Sequence, residues 1–261
     1  MVRIGLCGAR GRMGAALVDV ISTTDGVALA GAIERPGHAD VGQPLVPGLT
    51  ITDDIPALMA TTDVVIDFST PAALRPHLDA AVLAGRPLVI GTTGFEPFHE
   101  HAIDEAARAI PILQSANMSL GITLLLSLVR DIASRIGEDW DIEILEMHHR
   151  AKVDAPSGTA LRLGRAAAAG RGVLLPEVEV RSRDGITGAR ERGAIGFATL
   201  RGGTVAGDHT VIFAAEQERL ELTHRAESRA IFARGAVRAA QWLVGKPAGR
   251  YAMTDVLGLP E

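Results

Sequence analysis

The stretch His148-His149-Arg150-Ala151-Lys152-Val153-Asp154-Ala155-Pro156-Ser157-Gly158-Thr159 gathers two imidazoles, one ammonium and a helix start within a few residues. Imidazoles titrate near neutral pH and a lysine ammonium can donate a proton, so this is the chemistry of general acid–base catalysis. Lys152 stands out further, because it and Lys246 are the only lysines in a chain that otherwise takes its positive charge from arginine. Arginine holds its proton under ordinary conditions and lysine can release it, so a role in proton transfer explains the choice. Pro156-Ser157-Gly158-Thr159 reads as the first turn of a helix, whose unpaired backbone N–H groups favour an anion.

Something must hold such a cluster. At 261 residues and 47% hydrophobic content the chain can fill more than one core. Its formal charge of −5 is mixed along the sequence, without a Lys/Arg block suited to nucleic acid or anionic lipid, so small molecules are the expected partners. Cys7 is the sole cysteine, which rules out an internal disulfide or a cysteine-based zinc site and fits a reducing cytoplasm. No metal is expected. The opening run Val2 to Cys7 starts a strand at once, leaving no room for a signal peptide, and the apolar stretch from Ile122 to Val129 is too short to span a bilayer.

The first half predicts a nucleotide-binding sheet. A strand from Arg3 to Cys7 enters Gly8-Ala9-Arg10-Gly11-Arg12-Met13-Gly14 and then a helix from Ala15 to Ser22. Glycines here let the backbone turn tightly and approach a pyrophosphate held against the helix N-terminus. Arg10 occupies the second glycine position of the usual Gly-x-Gly-x-x-Gly pattern. A second strand, Val27 to Ile33, ends in Glu34-Arg35. A carboxylate there can accept from an adenosine ribose diol and a guanidinium can hold a 2′-phosphate, so both NADH and NADPH are expected cofactors. Further strands are predicted over 63–68, 86–90 and 111–114, alternating with helices, which favours parallel pairing with ligands at the carboxyl ends. Gly91, Thr92 and Thr93 should then line the cofactor cleft. Asn117, in Ser115-Ala116-Asn117-Met118-Ser119, offers an amide for a nicotinamide carboxamide.

After a helix from Leu120 to Ile136 the pattern changes. A strand from Trp140 to Met147 carries Asp141, Glu143 and Glu146 among apolar residues and delivers the histidine motif at its end. Strand-like segments follow over 178–181, 193–200 and 209–215, separated by glycine turns, and imply a mixed sheet. From Ser228 to Val244 the chain is helical again and can return to the first domain. The expected class is α/β: a Rossmann-like parallel sheet domain over 1–118 and 228–261, and an α+β domain with a mixed sheet over 119–227.

These motifs together resemble the bacterial dihydrodipicolinate reductases, also called 4-hydroxy-tetrahydrodipicolinate reductases, of lysine and diaminopimelate biosynthesis. The resemblance rests on Gly8 to Gly14, Glu34-Arg35, Gly91 to Gly94, Ser115 to Ser119, His148 to Thr159, Gly207-Asp208-His209-Thr210-Val211 and Asp255 to Leu259, and so spans nearly the whole chain. It implies an NAD(P)H-dependent reduction of a cyclic imine-containing dicarboxylate with loss of water. It also implies acid/base roles for His148 and Lys152, and substrate contacts at His149, Ser157, Gly158 and Thr159. Cofactor contacts are implied at Gly8, Ala9, Arg10, Gly11, Arg12, Met13, Glu34, Arg35, Gly91, Thr92, Thr93, Ser115, Ala116, Asn117 and Met118. The resemblance further implies that residues 119–227 bind substrate and assemble a homotetramer. Two positions depart from its pattern, Met118 where phenylalanine is expected and Arg10 where many members have glycine.

An aspartate dehydrogenase-like oxidoreductase would share the first domain but gives no reason for the His-His-x-x-x-Lys cluster. A cofactor-sensing binding protein would need no placed proton donor.

Overall fold

The computed structural model describes residues 1–259, and its contacts divide the chain into two units. One comprises residues 1–120 with the segment from Arg229 onward, the other residues 121–228.

In the first unit the elements run β1 (Val2–Cys7), α1 (Arg12–Thr23), β2 (Val27–Ile33), β3 (Pro44–Val46), β4 (Leu49–Thr50), α2 (Ile55–Thr61), β5 (Val64–Asp67), α3 (Leu74–Ala84), β6 (Leu88–Ile90), α4 (Pro97–Ala107) and β7 (Pro111–Gln114). The helix α5 (Leu120–Arg135) begins at its end. Six parallel strands form one sheet in the order β13-β7-β6-β5-β1-β2, the last to join being β13 (Gly249–Tyr251) from the C-terminal segment. Strands buried on both faces read as continuous apolar runs, and these do. Period-two alternation sends Ile4, Leu6, Val64 and Ile66 into one core with α1 and with α8 (Ala230–Leu243). Val65, Leu88, Ile90 and Ile112 enter the other, with α2, α3 and α4. The chain reverses direction across the sheet between β1 and β5, so the loops after these two strands flank the crevice where open α/β sheets collect ligands.

The second unit contains β8 (Asp141–His148), α6 (Gly158–Gly170), α7 (Leu175–Val178), β9 (Glu179–Val180), β10 (Ile195–Arg201), β11 (Gly207–Ala215) and β12 (Glu218–Ala226). Its sheet runs β12-β11-β8-β10-β9, with β10 parallel to β8 and β9, and β11 antiparallel to β8 and β12. Burial along β8 alternates strictly, so Ile142, Ile144, Glu146 and His148 share the inner face. Ile142 and Ile144 pack with Leu163, Phe197, Val211 and Phe213.

Several elements differ from the sequence expectation. The helix expected from Ala15 begins at Arg12, and of the strand expected over 178–181 only Glu179–Val180 is strand, Val178 closing a single helical turn that starts at Leu175. Pro176 sits in the first turn of α7, where its lost N–H is harmless, and this permits the turn. β12 has mostly exposed residues, with only Leu222, His224 and Ala226 turned partly or fully inward, and it forms as the antiparallel partner of β11 along a complete ladder. A short closing helix, α9 (Met253–Leu257), buries Met253 and Val256 in the first unit.

Docking of α8 depends on a missing side chain. A Cβ at Gly235 would overlap the Met118 carbonyl oxygen, a backbone atom that cannot step aside. Gly235→Ala is expected to destabilise the fold by about 1–3 kcal/mol through overpacking, lowering the urea midpoint, although alanine is the better helix former. An unchanged midpoint would show that α8 sits further from Met118.

Candidate functional site

Each unit carries part of the predicted site. In the first, a cavity of about 440 Å³ opens at the carboxyl ends of the strands. Gly11, Arg12 and Met13 at the start of α1 form one wall, and Gly91, Thr92 and Thr93 after β6 form another. Ser115, Ala116, Asn117 and Met118 after β7 close it, so ten of the expected cofactor residues meet around one space. Phe68, Ser69, Arg229 and Phe232 line it as well and were not expected. The first two follow directly on a strand end that faces the crevice, a signal available in the sequence, whereas Arg229 and Phe232 arrive through the returning segment.

The glycines make room. Gly8 has φ +80°, and a Cβ there would lie 2.6 Å from the Phe68 carbonyl oxygen. At Gly14 a Cβ would collide with the carbonyls of Gly8 and Ala9, and at Gly91 with the Phe68 ring. No side chain caps α1, whose first turn holds no acidic residue, so its positive end is left for an anion. This glycine cradle on an uncapped helix fits the pyrophosphate of a dinucleotide.

Gly8, Ala9, Arg10, Glu34 and Arg35 are not on the cavity wall. Gly8 and Ala9 shape the turn from below, Ala9 being buried. The Arg10 backbone N–H donates to Glu34 Oε1 at 2.7 Å, which ties the glycine turn to the end of β2. The Arg10 side chain turns away to Asp40, 3.3 Å from Nε, and to the Pro44 carbonyl, which is why it does not crowd the turn. Arg35 is exposed. Asn117 Oδ1 accepts from the Ser119 N–H at 2.9 Å, so part of its amide already shapes the turn.

In the second unit the histidine motif is built around Glu146, which is 1% exposed. Arg201 forks onto it, with Nη1 2.8 Å from Oε2 and Nη2 2.9 Å from Oε1. The Ser157 N–H donates to Oε1 at 3.1 Å, and the Thr199 hydroxyl reaches the same oxygen at 3.3 Å. His148 Nδ1 lies 2.5 Å from Oε2. Burial pushes the Glu146 pKa up, but the Arg201, His148 and Ser157 hydrogen bonds outweigh it and hold the carboxyl below the usual range. An ionised carboxylate requires a donor, so the imidazole proton sits on Nδ1 and Nε2 is the atom free to exchange protons. A Cβ at Gly207 would lie 2.9 Å from this Nε2, so glycine there leaves the ring its place.

Ser157 caps α6, its Oγ accepting from Ala160 N at 3.1 Å. Its Oγ also lies 3.0 Å from His209 Nε2. Ser157 is 2% exposed, and its polar atoms face inward. Gly158 is exposed with open space where a Cβ would be, and Thr159 is half-buried beside it. The first turn of α6 has no acidic residue. Lys152 Nζ pairs with Asp154 Oδ1 at 2.7 Å, and that hydrogen bond lowers the Asp154 pKa. His149 is half-buried, and its carbonyl accepts from the Lys152 N–H. Arg201 and His209 joined no expected role, being brought in from strands some fifty residues away.

Residues 2–118 match the family described as dihydrodipicolinate reductase, N-terminus, and residues 121–257 the one described as dihydrodipicolinate reductase, C-terminus. The chain is 54% identical over 265 residues to a 4-hydroxy-tetrahydrodipicolinate reductase of Afipia carboxidovorans, covering 99% of this chain and 97% of the relative. A reductase of the same name from Zymomonas mobilis is 53% identical over 258 residues, covering 99% and 98%. Among solved structures, a dipicolinate-bound dihydrodipicolinate reductase from Paenisporosarcina sp. TG-14 has the same fold, with TM-score 0.81, 23% identity and 98% of each chain covered. A C. glutamicum DAP dehydrogenase shares the fold more loosely, at TM-score 0.56, 14% identity and coverage of 97% and 92%.

His209 gives the second unit a pH dependence. Burial, followed by the neighbouring His148, lowers its pKa from 6.5 to about 4. Between those values the unfolded chain binds a proton that the folded one refuses, so stability falls as the pH falls through the window. The slope from this group is about 1.4 kcal/mol per pH unit. Urea unfolding of His209→Gln between pH 6.5 and 4 is expected to show a shallower acid loss than the parent, and parallel curves would remove His209 as a cause.

Proposed function

The chain belongs to the dihydrodipicolinate reductase family, and we propose that it reduces 4-hydroxy-tetrahydrodipicolinate to tetrahydrodipicolinate with NADH or NADPH, with loss of water, in lysine and diaminopimelate biosynthesis. The observation that carries the assignment of roles is the Glu146–His148 pair beside the N-terminus of α6, which Ser157 caps and whose first turn holds no acidic residue. Residues 1–118 and 228–261 serve as the dinucleotide-binding domain, and residues 119–227 bind substrate and assemble the oligomer.

The bound nicotinamide supplies the hydride. Lys152 and His148 manage protons. Lys152 Nζ donates the proton that accompanies reduction of the ring. Its partner Asp154 is more than half exposed, so the ion pair is screened and holds the ammonium by at most about 1 kcal/mol, which a doubly charged substrate can outbid. His148 exchanges protons at Nε2 alone, because Nδ1 is committed to Glu146. The substrate carboxylates lie at the N-terminus of α6, taken by Gly158, Thr159 and His149. Ser157 contributes by capping that turn and setting its backbone.

Glu34 and Arg35 together support dual cofactor use, the first for a ribose diol and the second for a 2′-phosphate. The protein works in the cytoplasm, and among the described residues no helix is long and apolar enough to cross a membrane. It assembles as a homotetramer through the second-unit sheet. The exposed Leu200 and Leu220 and the long exposed edge strand β12 support this, since such edges in isolation invite pairing.

The deciding assay mixes the protein, NADH or NADPH and the product of the preceding synthase, and follows the loss of reduced-cofactor absorbance. Lys152→Ala is expected to lower kcat by roughly 10²–10⁴-fold with NADH affinity intact. Lys152→Arg should recover little, since guanidinium keeps the charge but hardly donates its proton. Near-normal kcat in Lys152→Arg would make the residue a carboxylate clamp and leave the acid role to His148. In parallel, Arg35→Ala is expected to raise the Kd for NADPH more than that for NADH, and equal losses would count against the phosphate contact.

A further inference from the structure

The first unit buries a carboxyl–imidazole pair that neither the pyrophosphate cradle nor the proton-transfer residues require. Asp67, the last residue of β5, is 1% exposed, and its Oδ2 lies 2.6 Å from Nδ1 of His77 on α3, itself 5% exposed. The other oxygen, Oδ1, accepts from the Ser69 N–H at 2.9 Å and from the Ser69 hydroxyl at 2.6 Å. The Thr92 hydroxyl reaches Asp67 O and Oδ1, each at 3.4 Å. Cys7 stands beside the pair, its pKa pushed well up by burial and by Asp67, so it is a neutral thiol packed against the carboxylate. Asp67 and His77 are hydrogen-bonded to each other, and Asp67 also to Ser69.

A carboxylate is costly to bury and has to be paired. A hydrophobic residue would fill this position next to Val65 at less cost, so the charge calls for a reason. Ser69 and Thr92 supply it, because both line the cavity. A hydroxyl carries one proton. Once Ser69 donates that proton to Asp67, only its lone pairs remain for the cavity.

We infer that Asp67, held by His77, is a positioning residue that fixes Ser69 as a hydrogen-bond acceptor on the cavity wall, set to receive a donor of the bound cofactor. That donor is a ribose hydroxyl or the carboxamide N–H. The inference rests on the reading of this cavity as the cofactor site.

The test is a fluorescence titration of NADH and NADPH against the full chain, its Ser69→Ala and Asp67→Asn variants and the double variant, with steady-state kinetics alongside. Each single variant is expected to weaken both cofactors about tenfold, the worth of one positioned hydrogen bond. The cofactor KM should rise while kcat and the dicarboxylate KM stay near the parent values. The double variant should be little weaker than Asp67→Asn alone, because the two residues share one interaction. Ser69→Ala leaves the buried pair intact, so the test stands even if Asp67→Asn fails to fold.

The reduced 3-acetylpyridine analogue, which lacks the carboxamide N–H, separates the two donors. A Ser69→Ala loss seen with NADH but not with the analogue assigns the carboxamide, and equal losses assign the ribose. Gly11→Asp serves as the control. Gly11 is the N-cap of α1 with φ −65° and ψ 164°, where aspartate is a favoured cap, and it puts a negative charge where the pyrophosphate would bind. Cofactor loss in Gly11→Asp with full affinity in Ser69→Ala and Asp67→Asn overturns the positioning role alone. Full affinity in all three overturns the cofactor site with it, and additive losses in the double variant also overturn the role.

Discussion

A buried carboxylate must be surrounded by donors, and this constraint organises both units. Among the described residues only Asp67 and Glu146 are buried acids, and each lies at the carboxyl end of a strand. Desolvating such an ion costs several kcal/mol unless its lone pairs are filled. Glu146 fills them with Arg201, Ser157, His148 and Thr199, and Asp67 with His77, Ser69 and Thr92. The groups recruited to satisfy the charge are thereby oriented. In the second unit the outcome is an imidazole with one exchangeable nitrogen beside a helix start pinned by its own N-cap.

The geometry around Glu146 also follows from sheet register. His148 lies two residues after Glu146 on the same face of β8, and Arg201 is paired with His148 across the parallel β10 ladder. His209 is opposite Glu146 on the antiparallel β11. Pairing therefore delivers a cation and a second imidazole to one carboxylate from both flanks. Burial lowers the His209 pKa to about 4, so near neutral pH it brings no added positive charge to the Glu146 carboxylate.

Much of this was legible in the sequence, and what was missed has a physical pattern. Elements carrying their own periodicity, such as the apolar runs of β1, β2 and β7, were readable, as was the start of α6 at Ser157. The glycine turn and the residues after β6 and β7 were readable because their types suit a ligand. Glu146 was seen only as one acid among three on its strand. Its phase, two residues from Ile144 and two from His148, would have placed it inside while Asp141 and Glu143 stay half-exposed. Arg201, His209 and the Asp67–His77 pair are fixed by contacts across strands or from strand to helix, and local pattern carries no trace of those. β12 was missed because only Leu220 and Leu222 alternate with polar residues along it, a pattern too short to mark a strand without its β11 partner. Arg10 shows the converse, a residue conspicuous in the motif whose side chain turns to Asp40 and Pro44 instead.

His148 and Lys152, the two residues proposed to handle protons, differ in how they are held, and the difference suits the proposed tasks. His148 is fixed on a strand end by a short hydrogen bond to a buried carboxylate, so its reactive nitrogen has a defined direction before any ligand arrives. Lys152 sits in the loop between β8 and α6, on a flexible four-carbon stem, with an exposed carboxylate as its resting partner. Arg201 ties this loop back to the Glu146 cluster through the Asp154 carbonyl, so the backbone under the lysine is anchored while the ammonium can move. An imidazole held on a strand and an ammonium carried by a loop can serve two different atoms of one substrate. Arginine in place of Lys152 would keep the reach and the charge but would be unable to let the proton go.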